Sequence, residues 1–417
     1  MTNPQPQFPN SRYTYVAYPM SLTLRAANAI QTYHTARELR ALVAVRGGTV
    51  QVIVPRLLRE PSRFADPAVA ARHLPRIPFN KFTRFWKSSA WSYLERTAWC
   101  VELLALLIGQ RLTGRGIRAI YVRDVVCAYW LSRLRVLHGA RVVYEVHDLE
   151  ATNPSRAQGA GWDWLIAGLD AAVLRRPARL VSLTAAFRAY LAEQRIRPPQ
   201  DVAVIPDAYD AAVYRPLDHA ACRAALDLPT EAYIVCYAGL TFAYRRLDLL
   251  LAAFAEVYAS SPDPALLVLV GGRPFEVAEL QREAVRLGLP PDAVRWVGPQ
   301  APEEVVQYLN AADVLVIPDT VTTLTASPLK LFEYMAVGKA IVLRELPALR
   351  EILDDSSALF VPPGDAAALA AALNALATDP ARRARLGAAA LAQAGQYTYG
   401  ARATAVLAVL DGVGGTA

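Results

Sequence analysis

Short apolar runs alternate with segments of helical periodicity along almost the whole chain. The runs predict strands, and they lie at 13–18, 49–54, 119–122, 142–144, 179–184, 202–206, 234–239, 266–270, 294–297, 314–318, 340–343 and 358–361. Helical patterns fill many of the intervals, at 26–45, 247–258, 275–287, 302–312, 366–377, 381–395 and 400–410. Strands that alternate regularly with helices are typical of parallel sheets covered on both faces. The chain is therefore predicted to be an α/β protein.

Length and a polar break predict two domains. The 417 residues exceed what one typical core accommodates. The stretch Asp207-Ala208-Tyr209-Asp210, followed by Pro216, separates the first six predicted strands from the rest and indicates a linker. We predict a first domain at 1–212, joined by a terminal helix at 396–417, and a second domain at 213–395.

The charge divides unevenly between the two halves. Residues 1–216 hold 29 Lys and Arg against 15 Asp and Glu, whereas residues 217–417 hold 15 against 22. Such asymmetry favours an anionic surface or substrate on the first half. An Arg-rich solubilising composition would explain the number of arginines but not their placement.

The strand predicted at 314–318 leads through a Thr-rich loop into a helix, and this junction is the best candidate for a ligand site. Ser327 suits the N-cap and Pro328 the first helical position, so we predict that the helix begins at Ser327 and continues through Leu329. Exposed N–H groups and the positive end of the helix dipole make such a start a site for phosphate.

Two charged residues in this helix sharpen the prediction. Lys330 lies in the first turn, where the dipole disfavours a cation, and a bound anion would reverse that penalty. Glu333 shares the helix face of Lys330 and suits the paired hydroxyls of a ribose. The competing interpretation is a surface helix on which Lys330 and Glu333 form a solvated pair, and these two residues alone do not separate the alternatives.

The first half offers one catalytic candidate and one candidate surface. His147 follows the strand at 142–144, at the sheet edge where ligands bind, although a core histidine bonded to a neighbour is the alternative. The segment 78–99 interleaves aromatic and basic residues and ends with Trp91 and Trp99. It suits a membrane surface or a lipid-linked acceptor, or else a packed helix with a cationic outer face. No recognition motif for nucleic acid accompanies it.

Other classes of protein are disfavoured. The four cysteines and five histidines show no spacing typical of metal ligands, so we predict no metal site. No window reaches the roughly 18 apolar residues of a membrane span, and residues 1–10 lack a signal pattern, so we expect a cytoplasmic protein, with peripheral attachment to the inner face of the membrane left open. The loop after the first strand lacks GxGxxG, which argues against a dinucleotide-dependent oxidoreductase.

Several ordered motifs resemble those of nucleotide-sugar glycosyltransferases with the GT-B fold, in particular the large retaining family 4. The resemblance covers residues 234–404 well and the first half more loosely. It rests on Tyr237-Ala238-Gly239 with its basic loop and Asp248-Leu249-Leu250, on Leu269-Val270-Gly271-Gly272, Trp296-Val297-Gly298, Ala312-Asp313 with Pro318, Ser327 through Gly338, and the linker Val204 through Asp210.

This resemblance implies two Rossmann-like, doubly wound parallel-sheet domains that face a central cleft. The donor, a nucleoside-diphosphate sugar, would be held mainly by the second domain and a hydroxyl acceptor by the first, with retention of configuration and no metal or other cofactor. Roles then fall to His147, Lys330 and Arg245 in catalysis and, in donor binding, to Glu333, Ser327, Pro328, Leu329, Thr325, Gly239, Arg246 and Gly272. Glu333 takes the place of the family's second motif glutamate, which holds the ribose.

Two departures from the family pattern open alternatives. Thr325 replaces the first motif glutamate, as in a variant branch reading Ser-Pro-x-Lys, and Leu240 replaces the usual arginine after the strand glycine. The enzyme would belong to polysaccharide, glycolipid or other glycoconjugate synthesis. The alternatives are a nucleotide-sugar-binding protein that has lost the chemistry and a sugar-nucleotide epimerase of similar plan.

Overall fold

A computed structural model describes residues 12–19, 21–24, 26–56, 61–77, 89–151, 163–261, 263–319 and 324–413. The chain forms two compact units. The first comprises Met1–Pro206 with Tyr399–Ala417, and the second comprises Asp207–Thr398. The chain therefore leaves the first unit at residue 206 and returns to it for the last helix.

The first unit contains a seven-stranded parallel sheet of order β3-β2-β1-β4-β5-β6-β7. Its strands are β1 (Arg12–Val16), β2 (Thr49–Pro55), β3 (Arg72–Leu74), β4 (Ala119–Val122), β5 (Arg141–Val146), β6 (Arg179–Ser182) and β7 (Val202–Val204). Its described helices are α1 (Ala27–Val45), α2 (Ser89–Leu112), α3 (Val125–Arg133), α4 (Arg135–His138), α5 (Asp163–Arg175) and α6 (Ala185–Glu193).

The second unit contains a six-stranded parallel sheet of order β10-β9-β8-β11-β12-β13. Its strands are β8 (Tyr233–Ala238), β9 (Ala265–Val270), β10 (Val294–Gly298), β11 (Val314–Ile317), β12 (Ala340–Arg344) and β13 (Leu359–Val361). Its described helices are α7 (His219–Ala225), α8 (Leu247–Ser260), α9 (Pro274–Arg286), α10 (Pro302–Ala311), α11 (Leu329–Val337), α12 (Pro347–Arg350), α13 (Ala366–Ala377) and α14 (Pro380–Ala394).

Helix α15 (Tyr399–Gly412) closes the first unit from the far end of the sequence. Its apolar side packs into the core formed by β1, β2 and α1, through Ala403, Val406, Leu407 and Leu410. Removing this face from water stabilises the first unit, because apolar burial contributes roughly 25 cal/mol per Å². The first unit thus depends on both ends of the chain.

Each sheet has one point where the strand order reverses, and ligands of open parallel sheets bind beside such points. In the first sheet it lies between β1 and β4, and in the second between β8 and β11. Residues that follow β8 and β11 are therefore the first place to look for a site.

The predicted α/β architecture with two parallel sheets is confirmed. The short edge strand β3 was not predicted, because Arg72-His73-Leu74 shows no apolar run. Trp99, at the end of the segment 78–99, is buried on α2 and lies edge-on to Tyr18, with the ring centroids 5.2 Å apart, which favours the packed-helix alternative at this residue. Residues 78–88 of the predicted basic and aromatic surface lie outside the described residues. None of the described helices has the length and apolar character to cross a membrane.

Candidate functional site

Gly239, the residue after β8, leaves room for a cation from α11. Its φ is +142°, and its N–H donates to the Val270 carbonyl at 2.9 Å. A Cβ at this position would lie 2.7 Å from Lys330 Nζ, closer than real contacts allow. A side chain at position 239 would therefore displace the ammonium group.

Lys330 is a buried cation with an incomplete environment. Its Nζ lies 3.7 Å from the centroid of the Tyr237 ring, a cation–π contact, but it has no hydrogen-bond partner among the described residues. Burial lowers its pKa well below the usual range, and the positive charge of Arg245 lowers it further, against the attraction of Glu333. An ammonium in such a place costs free energy unless an anion joins it.

Arg245 brings a second positive charge to the same place. It ends a short 3-10 helix at Ala243–Arg245, and its guanidinium lies 5.2 Å from the Tyr244 ring centroid. Its Nε and Nη1 are buried and have no hydrogen-bond partner within the described part of the chain. Two neighbouring cations with unused hydrogen-bond donors have the chemistry that an anion such as a diphosphate requires.

Arg246 is turned to a different partner. It adopts a left-handed conformation, with φ at +51°, and its Nη2 donates to Asp248 Oδ2 at 2.9 Å. Both side chains of this pair are more than a third exposed. Of the two candidate arginines, the structure places Arg245 with Lys330 and pairs Arg246 with Asp248.

Glu333 lies one turn beyond Lys330 on α11. Burial raises its pKa to about 7, against a hydrogen bond from Tyr214 and the charge of Lys330, which both lower it. A carboxyl group with this pKa is held near its neutral form, and it gains from a polar ligand that restores the hydrogen bonds lost from water.

The predicted start of α11 is wrong by one residue, at the N-cap and at the first helical position alike. The helix begins at Leu329, with extended Pro328 (ψ 125°) as the N-cap and no capping side chain. Ser327 Oγ instead accepts a hydrogen bond from the Asp207 N–H at 3.0 Å, so it is not free to cap. Lys330 consequently occupies the second helical position rather than the third, still within the turn that a bound anion would contact.

His147 lies in the first unit, directly after β5. Its Nε2 is 2.7 Å from Glu145 Oε1 and 2.9 Å from Arg123 Nη2, so this nitrogen either donates to the carboxylate or accepts from the guanidinium. Burial lowers the pKa of His147, and Arg123 lowers it further, although Glu145 raises it. The imidazole is therefore neutral near pH 7 and held in one orientation.

Both halves of the chain match known families. The model described as Glycosyl transferases group 1 matches residues 231–379, and the Glycosyl transferase 4-like domain matches residues 29–208. A D-inositol 3-phosphate glycosyltransferase of Stackebrandtia nassauensis is 31% identical over 288 residues, which are 65% of this chain and 62% of that protein. A protein of the same name from Saccharomonospora viridis is 27% identical over 382 residues, 86% of this chain and 83% of that protein. The chain thus spans less than two thirds of the length of the first relative.

Solved structures resemble nearly the whole chain. Anabaena HepE in complex with UDP has a TM-score of 0.74 at 15% identity and covers 96% of this chain and 100% of its own. Sucrose-phosphate synthase from Thermosynechococcus elongatus has a TM-score of 0.73 at 19% identity, with 97% and 99% covered. The chain has the GT-B fold. The predicted fold class is confirmed by these likenesses and by the two parallel sheets.

In this GT-B chain, the remaining predicted residues lie in the loops after β9 and β11. Gly272 has φ +93°, and a Cβ on it would lie 2.8 Å from Thr241 Oγ1. Thr241 in turn donates to Glu276 Oε2 at 2.7 Å, which ties the loop after β8 to α9. Thr325 is buried ahead of α11. Asp319, which follows β11, forms an ion pair with Arg344.

Sequence reasoning missed the residues that fix this GT-B site in place. The Tyr334 hydroxyl accepts a hydrogen bond from the Ala238 N–H at 2.8 Å, which attaches α11 to the end of β8. Tyr237 supplies the ring beneath Lys330. Both belong to motifs that the sequence analysis had singled out, but only as apolar strand and helix positions. The available signal was a tyrosine hydroxyl at an otherwise apolar position, in β8 for Tyr237 and in α11 for Tyr334.

Proposed function

We propose that the protein is a glycosyltransferase that moves a sugar from a nucleoside diphosphate to a hydroxyl acceptor, with retention of configuration and without a metal ion. The observation that carries this proposal is the buried, hydrogen-bond-deficient ammonium of Lys330 at the start of α11, beside Arg245 and opposite Gly239. It lies at the reversal point of the second sheet, where open α/β sheets bind ligands.

The chemistry follows from where charge develops. As the bond between sugar and diphosphate breaks, negative charge builds on the departing phosphate oxygens. Fixed cations and a helix N-terminus aimed at that position lower the barrier, because they need no rearrangement when the charge appears. Lys330 and Arg245 would fill this role, and Glu333 would accept hydrogen bonds from the ribose hydroxyls.

The first unit would hold the acceptor and orient the sugar. A neutral His147, fixed by Glu145 and Arg123, would contact the sugar without serving as the base, while an oxygen of the donor phosphate takes the acceptor proton. The relatives named D-inositol 3-phosphate glycosyltransferase support a polyhydroxylated acceptor. We include lipid-linked acceptors in the proposal, because the apolar side chains of Leu94, Val101 and Leu112 are exposed on α2 and could contact a lipid chain. Assays with free and lipid-linked polyols would separate the two, and transfer to neither would reject the acceptor classes.

We propose UDP as the nucleotide, because HepE is a neighbour solved with UDP and with UDP-glucose. Calorimetric titration with UDP, GDP, ADP and dTDP tests this choice directly. A preference for another nucleotide would change the base but leave the diphosphate site intact. Binding of none of the four would remove the donor site from the proposal.

The decisive experiment measures steady-state kinetics of two variants. We expect Lys330→Ala to lower kcat and Glu333→Ala to raise the donor KM, because the first contacts the leaving phosphate and the second the ribose. Lys339→Ala is the matched control, since Lys339 follows the same helix but its Nζ lies 2.8 Å from His219 Nδ1. Near-normal kinetics for both test variants would reject the site.

The second candidate is a nucleotide-sugar-binding protein without catalysis, and Thr325 in the place of the family glutamate favours it. Donor hydrolysis distinguishes the two. An active site releases nucleoside diphosphate slowly even without an acceptor, whereas a binding protein shows affinity for the donor and no release.

A further inference from the structure

The first unit contains a cavity of about 530 Å³ that belongs to neither of the sites described above. It lies at the amino ends of β5 and β6, where Arg141 begins β5 and Ala178 precedes β6. His147 follows the opposite end of β5. At about 3.3 Å per residue, six residues of strand separate the two by about 20 Å.

Four arginines line this cavity: Arg111, Arg135, Arg141 and Arg176. They come from the end of α2, the start of α4, the start of β5 and the residue after α5. None of the described residues that line the cavity is acidic. Guanidinium groups gathered from four segments repel one another, and an anion between them would offset that repulsion.

Arg111 is fixed at the wall of the cavity. Its Nη1 donates to the carbonyls of Val136 and Leu137, at the end of α4. Its side chain lies over Gly139, whose φ is +75° and whose Cβ, if present, would lie 3.3 Å from Arg111 Nε. The guanidinium is thus positioned before any ligand arrives, which reduces the entropy lost on binding.

Arg135 and Arg176 are exposed, and no carboxylate among the described residues forms an ion pair with either. Their situation differs from that of Arg179, two residues after Pro177, whose Nη1 lies 2.8 Å from Asp201 Oδ1. The charges of Arg135 and Arg176 are therefore available to an external ligand, whereas that of Arg179 is already compensated within the protein.

We propose that this cavity binds a phosphate group, as a second anion site remote from the sugar chemistry. Arginine binds phosphate through paired hydrogen bonds, and the volume lies in the range of about 300–1,000 Å³ found for small-ligand sites. Two sources share this chemistry: a soluble phosphorylated molecule and the headgroup of an anionic phospholipid. A ligand here regulates or anchors the protein and does not touch the reacting sugar.

Two double variants test the proposal. Arg135→Gln/Arg176→Gln removes two cavity cations, and Arg133→Gln/Arg175→Gln removes two exposed arginines from adjacent positions that do not line the cavity. Both lower the net charge equally. Calorimetry measures inorganic pyrophosphate binding with UDP in excess to occupy the other site, and co-sedimentation measures binding to phosphatidylglycerol and phosphatidylcholine vesicles.

We expect the cavity variant to weaken anion binding by about tenfold or more, since it loses charge-assisted hydrogen bonds to the anion, and the control to match the unmodified protein. Loss of pyrophosphate binding identifies the soluble source, and loss of binding to phosphatidylglycerol vesicles alone identifies the headgroup. Equal losses in both double variants would mean general surface charge and would overturn the proposal. So would the absence of binding to either probe.

Discussion

The two units each bury a charge beside a sheet edge, but they treat it differently. In the first unit, Glu145 is fully buried and its carboxylate contacts Arg402 at 2.5 Å, Arg123 at 3.1 Å and His147 at 2.7 Å, as well as the Tyr121 hydroxyl. In the second unit, the buried ammonium of Lys330 has an aromatic ring on one side, a like charge nearby and no hydrogen-bond partner among the described residues.

The difference separates a charge that holds the fold together from one that awaits a ligand. Burial alone would raise the pKa of Glu145, but Arg402, Arg123 and His147 outweigh it and hold the pKa well below the usual range. Burial instead lowers the pKa of Lys330, because nothing in the described part of the second unit compensates its charge fully. A folded protein rarely leaves a buried donor unpaired, and the exceptions concentrate at functional sites.

The largest expected effect comes from removing the compensated charge. Glu145→Ala leaves two arginines and a histidine without their carboxylate, so we expect the free energy of unfolding of the first unit to fall by about 3–5 kcal/mol. Urea unfolding measures it. Glu193→Ala, an exposed glutamate on α6, is the control and should change the value by less than about 0.5 kcal/mol. Similar unfolding free energies for the two variants would mean that Glu145 does not stabilise the first unit.

A double-variant cycle sharpens this test. Arg402 also donates to the Ile205 carbonyl at 2.9 Å, so α15 contributes its charge to the point where the chain leaves the first unit. Because Glu145 and Arg402 share one contact, we expect Glu145→Gln/Arg402→Met to cost less than the two single variants together. Additive losses would show that the two side chains act separately.

Removing the charge of Lys330 should have the opposite effect on stability. Lys330→Met keeps a similar volume and removes a buried donor that lacks a partner, so we expect ligand-free stability to rise by about 1–3 kcal/mol. The same variant should lose stabilisation by UDP and lower turnover by about 10²–10³-fold. Thermal unfolding with and without UDP provides the measurement. If Lys330→Met were less stable than the unmodified protein and were still stabilised by UDP, the contrast between Lys330 and Glu145 would be wrong.

Much of the architecture could be predicted from the sequence because its signals are local. Buried parallel strands such as β11 and β12 are continuous apolar runs, and the start of the helix that follows β11 was predicted to within one residue. The start of α11 was misplaced because the Ser327 hydroxyl binds a backbone N–H 120 residues away. No local pattern encodes that contact.

The same reasoning explains what could be said of the site. Lys330 and Glu333 share a helix face through their spacing, so they could be found together in the sequence. The pairing of Glu145 with Arg402 joins residues 257 positions apart, and the arginine cavity gathers four separate segments. Such clusters depend on the topology of the sheet. They also depend on which side chains already have partners: Arg246, for example, is paired with Asp248.

A smaller effect is expected at the glycine that faces the ammonium. Gly239→Ala introduces a Cβ 2.7 Å from Lys330 Nζ, so we expect UDP affinity to fall by about tenfold, or about 1.4 kcal/mol. Gly288→Ala is the control, since its φ is also positive at +76° but no atom lies within 4 Å of the added Cβ. Both variants carry backbone strain, and only the first should change UDP affinity in calorimetry. Equal affinities would place the diphosphate away from Lys330.

The last effect concerns pH and contrasts the partly buried Glu333 with the fully buried Glu145. Glu333 has a pKa of about 7 in the folded protein, against 4.5 ordinarily, so between these values the folded protein keeps a proton that the unfolded chain has released. The stability it contributes is therefore complete below about pH 4.5 and is lost as pH rises through 7. We expect the unfolding free energy of the unmodified protein to fall relative to Glu333→Gln by about 2–3 kcal/mol from pH 5 to 8.

Comparison with Glu333→Gln largely cancels the titration of Lys330, because both proteins contain that lysine. Glu145 should show no such trend, since its pKa lies well below the usual range in the folded protein. Its contribution is present above the unfolded pKa and is lost only as pH falls through the folded value, outside the window from pH 5 to 8. Urea unfolding at pH 5, 6, 7 and 8 therefore gives a sloping difference for Glu333→Gln, whereas Glu145→Gln gives a level one between pH 7 and 8, where its neighbour His147 is neutral with or without the carboxylate. A level difference for both would mean that Glu333 is already compensated in the ligand-free protein, and the second unit would then resemble the first.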